Sequence, residues 1–184
     1  MRTEGLGREQ LLERIADFHG HLGPYALLGF RAGQLALREL GAKGYFDLEA
    51  DVHCGDRPPL SCFADGVQLG SGCTAGKGNL RFAAGPSGRP EAAVTFRLRA
   101  PTGAGGSGAG GSAAPAAGRT PGHADLVVRV RPETEARGAR WLAEVGDVEA
   151  ARRLLDLADE EVFVVEHRPP EAAGSAADSS AGGR

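Results

Sequence analysis

The sequence predicts an α+β domain in which a mixed, mainly antiparallel sheet packs against helices. Three observations point there. Apolar residues recur at helical spacing over residues 8–19 and 24–40. Short alternating stretches at 48–54, 93–100 and 125–131 read as strands. The helical and strand-like stretches do not follow the strict alternation of a parallel α/β sheet. The chain has 184 residues, enough for one domain with a real core, and 5% aromatics make that core aliphatic.

In the first helix Leu11, Leu12, Ile15, Ala16 and Phe18 form the apolar stripe, and Gly20 interrupts it. Pro24 opens the second, where a missing N–H costs nothing, and Gly41 ends it. Its apolar face runs through Tyr25, Leu28, Ala32, Leu35 and Ala36. Gly29 and Gly33, four apart, permit a close helix contact. After strand 48–54, Ser61 is the expected N-cap of a short helix to Leu69 that carries Asp65 early and points Phe63, Val67 and Leu69 inward. The glycine-dense run 70–79 is then loop.

Residues 80–84 and 93–100 read as strands, the latter with Val94, Phe96 and Leu98 buried and Thr95, Arg97 and Arg99 on a wet face. A hairpin joins 93–100 to 125–131 across a Gly/Ala-rich insertion, 101–123, too poor in apolar residues to bury anything. Two helices follow, near 133–145 with Trp141, Leu142 and Val145 as apolar face, and near 148–158 with Asp147 as N-cap. Residues 162–165 form a last strand. The domain spans 1–168, and 169–184 is expected to be a disordered Pro/Ala/Ser/Gly tail.

Composition narrows the function classes. A net charge of −3 lacks the basic footprint of a nucleic-acid binder. No apolar run approaches the ~20 residues of a transmembrane helix, and the first residues have no signal-peptide core, so the expectation is cytoplasmic. Three cysteines do not make a disulfide framework.

Chemistry concentrates in two stretches, Phe18–Pro24 and Ser61–Asn79, which are expected to meet in space. His19, His21, Cys62 and Cys73 combine imidazole and thiolate donors, a set that suits Zn²⁺ and also Fe, Ni or Cu. The spacings, H-x-H and C-x10-C, are not those of a zinc ribbon. Asp65, Thr74, Lys77 and Asn79 lie nearby. Cys54 reads equally as a ligand or a small buried hydrophobe. His53 points to the opposite face of its strand, and His19 also reads as a helix-end residue. Cys73 or Cys62 is a second kind of candidate, a nucleophile or redox thiol, with His19 or His21 as base for Cys73, Asp65 as a further catalytic candidate and Lys77 holding a small anionic substrate. Gly76–Lys77 is not a Walker A loop, because Ser71 and Gly78 occupy positions that motif gives to glycine and to Ser or Thr.

The stretches FHGHLGPYALLGFRAGQLAL and PPLSCFADGVQLGSGCTAGKGNL resemble the FmdE-like family, which takes its name from formylmethanofuran dehydrogenase, over about residues 8–166. The resemblance implies an α+β domain, a homodimer and a metal site lined by the matching His19, His21, Cys62 and Cys73, with Asp65, Gln68, Thr74, Lys77 and Asn79 in the same pattern. Thr74, Lys77 and Asn79 become the cofactor-binding candidates, and a molybdenum or tungsten enzyme becomes the expected partner. Many relatives carry a cysteine where this chain has Gly23, and some add a C-terminal cysteine module that it lacks. Three readings stand: a metal-binding accessory protein, a thiol-dependent enzyme, and a purely structural component.

Overall fold

The computed structural model describes residues 5–85, 87–99 and 124–169. The expected insertion at 101–123, and the tail beyond 169, lie outside the described residues. Two helices, α1 (Arg8–His19) and α2 (Pro24–Glu39), lead into strand β1 (Leu48–Val52). Helix α3 (Cys62–Ser71) and a short 3₁₀ turn (Ala75–Lys77) carry the chain to β2 (Leu80–Phe82). Strands β3 (Ala93–Leu98) and β4 (Asp125–Val130) follow, then α4 (Pro132–Asp156), α5 (Asp159–Val162) and β5 (Phe163–Arg168).

The five strands make one sheet in the order β2-β1-β3-β4-β5. β1 and β2 are parallel and every other neighbour pair is antiparallel. Adjacent parallel strands cannot be joined by a tight turn, because the chain must return to the starting end. Here α3 makes that return, so its first turn stands near the end of β1 and its last turn near the start of β2.

One face of the sheet carries Leu48, Ala50, Val52, Val94, Phe96, Leu126, Val128 and Phe163 into a continuous core with residues of α1, α2, α3 and α4. Each fully buried large aliphatic or aromatic side chain contributes about 1.5–3 kcal/mol. The other face is not simply wet, as the alternation of β3 suggested. Thr95, Glu49 and Asp125 are buried, and Arg97 bridges Asp51 and Asp125 across β1, β3 and β4. Long arginine stems cover the sheet while their charged ends pair.

α2 and α3 cross where glycine replaces side chains. A Cβ placed on Gly29 would lie 2.0 Å from the Phe63 carbonyl oxygen, and one on Gly66 would lie 2.0 Å from that of Ala26. Gly33 and Gly70 are equally confined by Ser71 and Phe30. The spacing of Gly29 and Gly33 was therefore a true packing signal.

Two local expectations need correction. Ser61 does not cap α3, for it is itself helical in φ and ψ and makes no capping hydrogen bond. Leu142 and Val145 are exposed, at 43% and 38%, and α4 buries Thr134, Gly138, Ala150, Ala151 and Leu154 instead. The reason is a bend at Gly146 (φ 78°), which turns the second half so that Leu154 packs near Gly138. The break falls between the two expected helices, 133–145 and 148–158, so α4 is two helical segments meeting at Gly146.

Candidate functional site

α1 ends at His19, where Gly20 takes a left-handed conformation (φ 92°) and turns the chain. Gly23 then starts α2 with Pro24 at its first position. This short link holds His19 and His21 side by side, with ring centroids 4.6 Å apart. From α3, Asp65 reaches across, and His19 Nδ1 lies 2.7 Å from its Oδ2. A carboxylate accepting from Nδ1–H fixes the tautomer and leaves the Nε2 lone pair outward. That Nε2 is buried without a hydrogen-bond partner, and the side chain is 9% exposed. An orphaned buried nitrogen is costly unless something binds it.

The two chemistry-bearing stretches therefore do meet, through Asp65 and His19. They do not meet through both cysteines. Cys62 opens α3 and Cys73 follows its end, so about 15 Å of helix separates them. Cys73 sits at the start of the sheet, fully buried, with its thiol donating to the Leu48 carbonyl at 3.5 Å. Among the described residues no group of three or more His, Cys, Asp or Glu side chains is arranged to hold a metal ion. The donors fit a metal in part. His19 offers a buried, unpartnered ring nitrogen and His21 stands beside it, while Cys62 lines the same cavity as His21.

The loop after α3 has a structural task. Asn79 is buried and donates from Nδ2 to the Leu48 carbonyl at 2.9 Å and to that of Tyr45. Its Oδ1 accepts from Thr74 N at 3.0 Å. Thr74 Oγ1 accepts from Lys77 N and from Lys77 Nζ, at 3.2 and 2.9 Å. The three cofactor-binding candidates thus bind one another and the start of β1, on the far side of α3 from the histidines.

None of the thiols is activated. Burial pushes Cys73 up to about 11 despite Lys77 nearby, and burial likewise pushes Cys54 up to about 11. Cys62 is also raised, by burial first and then by the Asp65 charge. A reactive thiolate needs a cation or helix-end field that outweighs such effects.

A cavity of about 440 Å³ opens beside His21, Gly23 and Cys62, walled by Tyr25 and Leu28 of α2 and by Glu135 and Leu142 of α4. Tyr25 and Glu135 both line it, and burial raises the pKa of both. Sequence reasoning missed Glu135, which sits far along the chain in a charged helix and shows no motif. Tyr25 had a weak signal, a phenol immediately beside the HGHLGP bend. Leu142 belongs to this wall, which accounts for its exposure. A Cβ on Gly23 would stand 3.0 Å from His21 Nε2, so the His21 ring occupies the space above that glycine.

Residues 18–164 match the family described as "FmdE, Molybdenum formylmethanofuran dehydrogenase operon". The chain belongs to the FmdE family. It is also 38% identical over 79 residues to a "Probable S-adenosyl-L-methionine-binding protein" of Archaeoglobus fulgidus, a match covering 40% of this chain and 20% of that protein. The FmdE chain thus matches about a fifth of that relative's length. No helix among the described residues is long and apolar enough to cross a membrane.

Proposed function

We propose that this FmdE protein is a cytoplasmic accessory protein that binds a divalent transition metal, Zn²⁺ in first place, at the mouth of the α2–α4 cavity. His19 Nε2 and His21 are the imidazole donors, and Cys62 is the thiolate donor. Cys73 has no part in this set, because α3 holds it at the other end of the fold. The observation that carries the reading is the buried, unpartnered Nε2 of His19, whose Nδ1 is fixed by Asp65. That arrangement of carboxylate, imidazole and open nitrogen is how proteins orient a histidine toward a metal. A bound metal would also keep Cys62 deprotonated in spite of the burial and charge that disfavour its thiolate.

The family description names a molybdenum enzyme's operon, which makes such an enzyme, or related cofactor chemistry, the partner this reading expects, with a homodimer as its working form. S-adenosyl-L-methionine binding is not carried over from the Archaeoglobus protein, since four fifths of that chain lies outside the match. Elemental analysis of anaerobically purified protein tests the proposal. About one equivalent of metal in the wild type, lost in His19→Ala and retained in Cys73→Ser, is expected. A metal-free wild type sinks it.

A further inference from the structure

We propose that the cavity between α2 and α4 binds a small organic cation, an amine or quaternary ammonium group carried on an apolar body. The inference goes beyond the metal reading and stands on the cavity itself. Its walls are apolar at Leu28, Pro59 and Leu142, and its volume of about 440 Å³ suits a ligand of modest size. Glu135 and Asp147 are the carboxylates in the lining, and no lysine or arginine lines it among the described residues. Tyr25 brings an aromatic ring to the same space, beside His21 and Cys62.

In the metal-free protein an anionic ligand would enter a confined, largely apolar volume against two carboxylates, with no lysine or arginine among the described lining residues to meet it. A cation would replace the hydration that Glu135 loses by burial and would also be attracted by an aromatic ring. The Tyr25 side chain lines the same space as the Glu135 carboxylate, whose two oxygens offer acceptor capacity to a cation. Burial raises the Glu135 pKa, as expected of a carboxylate that lacks a counter-charge. The anionic ligand expected from the sequence rested on Lys77. That side chain lies on Thr74, at the other end of α3, and does not reach this cavity.

Calorimetric titration of the full chain with three probes of one shape tests the charge preference: phenethylammonium, 2-phenylethanol and 3-phenylpropionate. Each is titrated into chelator-stripped and into zinc-treated protein. Phenethylammonium is expected to bind at least about tenfold tighter than 2-phenylethanol, with 3-phenylpropionate weakest. Glu135→Gln should shrink the gap between amine and alcohol to less than about threefold while leaving the alcohol unchanged, which also shows that the variant is folded. Leu142→Trp, which fills the mouth, should weaken amine and alcohol together. Equal binding of the three, preference for 3-phenylpropionate in either form, an unaltered gap in Glu135→Gln, or no binding of the amine at millimolar concentration overturns the proposal. Metal content is read on the same samples, so zinc-treated protein that holds no metal yet still prefers the amine sinks the metal reading alone.

Discussion

Asp65 gives His19 both a fixed ring and a fixed tautomer, so its removal should be felt at the opposite nitrogen. Asp65→Asn is expected to weaken zinc binding by about 10–100-fold without abolishing it, measured by competition with a chromophoric chelator. Gly23 supplies the complementary experiment. Its backbone is extended (φ −97°), so any L residue fits the local conformation, and Gly23→Cys adds a thiolate donor beside His21. Zinc affinity should rise by at least about tenfold in the same assay, although His21 must swing aside to admit the new Cβ. Glu135 sets a pH signature. Its folded-state pKa lies above the ordinary 4.5, through burial first. The folded state therefore holds this proton more tightly than the unfolded chain, and the associated stability is lost as pH rises from about 4.5 through the raised value. Glu135→Gln should flatten that part of the stability–pH curve in denaturant titrations. At this scale the sequence drew attention to His19, His21, Asp65 and Cys62 because reactive residues are dense there. It hid Glu135, whose significance arises only from the partner that α2 presents.

The element that organises both ends is α3, gripped along one side by α2. Gly66→Ala would drive a methyl group into the Ala26 carbonyl at 2.0 Å. Overpacking of this kind costs about 1–3 kcal/mol where neighbours can shift, and more where the obstacle is backbone. A lowered unfolding midpoint with reduced soluble yield is expected. At the foot of α3, Asn79→Ala would strip partners from the Leu48 and Tyr45 carbonyls and from Thr74 N–H. A loss of about 2–3 kcal/mol is expected in chemical denaturation, with zinc content unchanged. A Gly-Lys-Gly-Asn sequence looks like a ligand cradle because glycine density signals close approach without saying to what. Here the thing approached is the chain's own first strand. Helix positions were legible from periodicity, whereas the role of α4 was not. Its apolar residues Leu142 and Val145 mimic a core face, and Gly146 redirects the burial to Ala150, Ala151 and Leu154.

Taken whole, the molecule is a sheet with helices on one side and interlocked charges on the other. The mixed sheet was legible as a class, because alternation reports that strands exist and turn chemistry reports hairpins. That β1 and β2 run parallel follows from α3 lying between them, and this pairing decides where the two cysteines go. Their separation could not be read from spacing, since C-x10-C spans either a loop or a helix. The charged face was hidden too, because Glu49, Asp51 and Arg97 look solvated in sequence. Arg97 has 19% of its side chain exposed and joins Asp51 to Asp125. Arg97→Leu should cost about 1.5–3 kcal/mol, because Asp51 and Asp125 lose the charged donor they share while Arg81 still holds Asp51. Chemical denaturation of the wild type and the variant side by side checks this.

The crossover through α3 has a consequence for how such a protein can diversify. One uninterrupted stretch, Ser61–Asn79, supplies a donor at its head and a foundation at its foot, with a rigid rod between them. Substitutions around the head, at Gly23, Cys62 or His21, can retune what is held there without loosening the base. Changes at the base, by contrast, threaten the whole structure. A lineage built this way is able to exchange its chemistry while keeping its architecture.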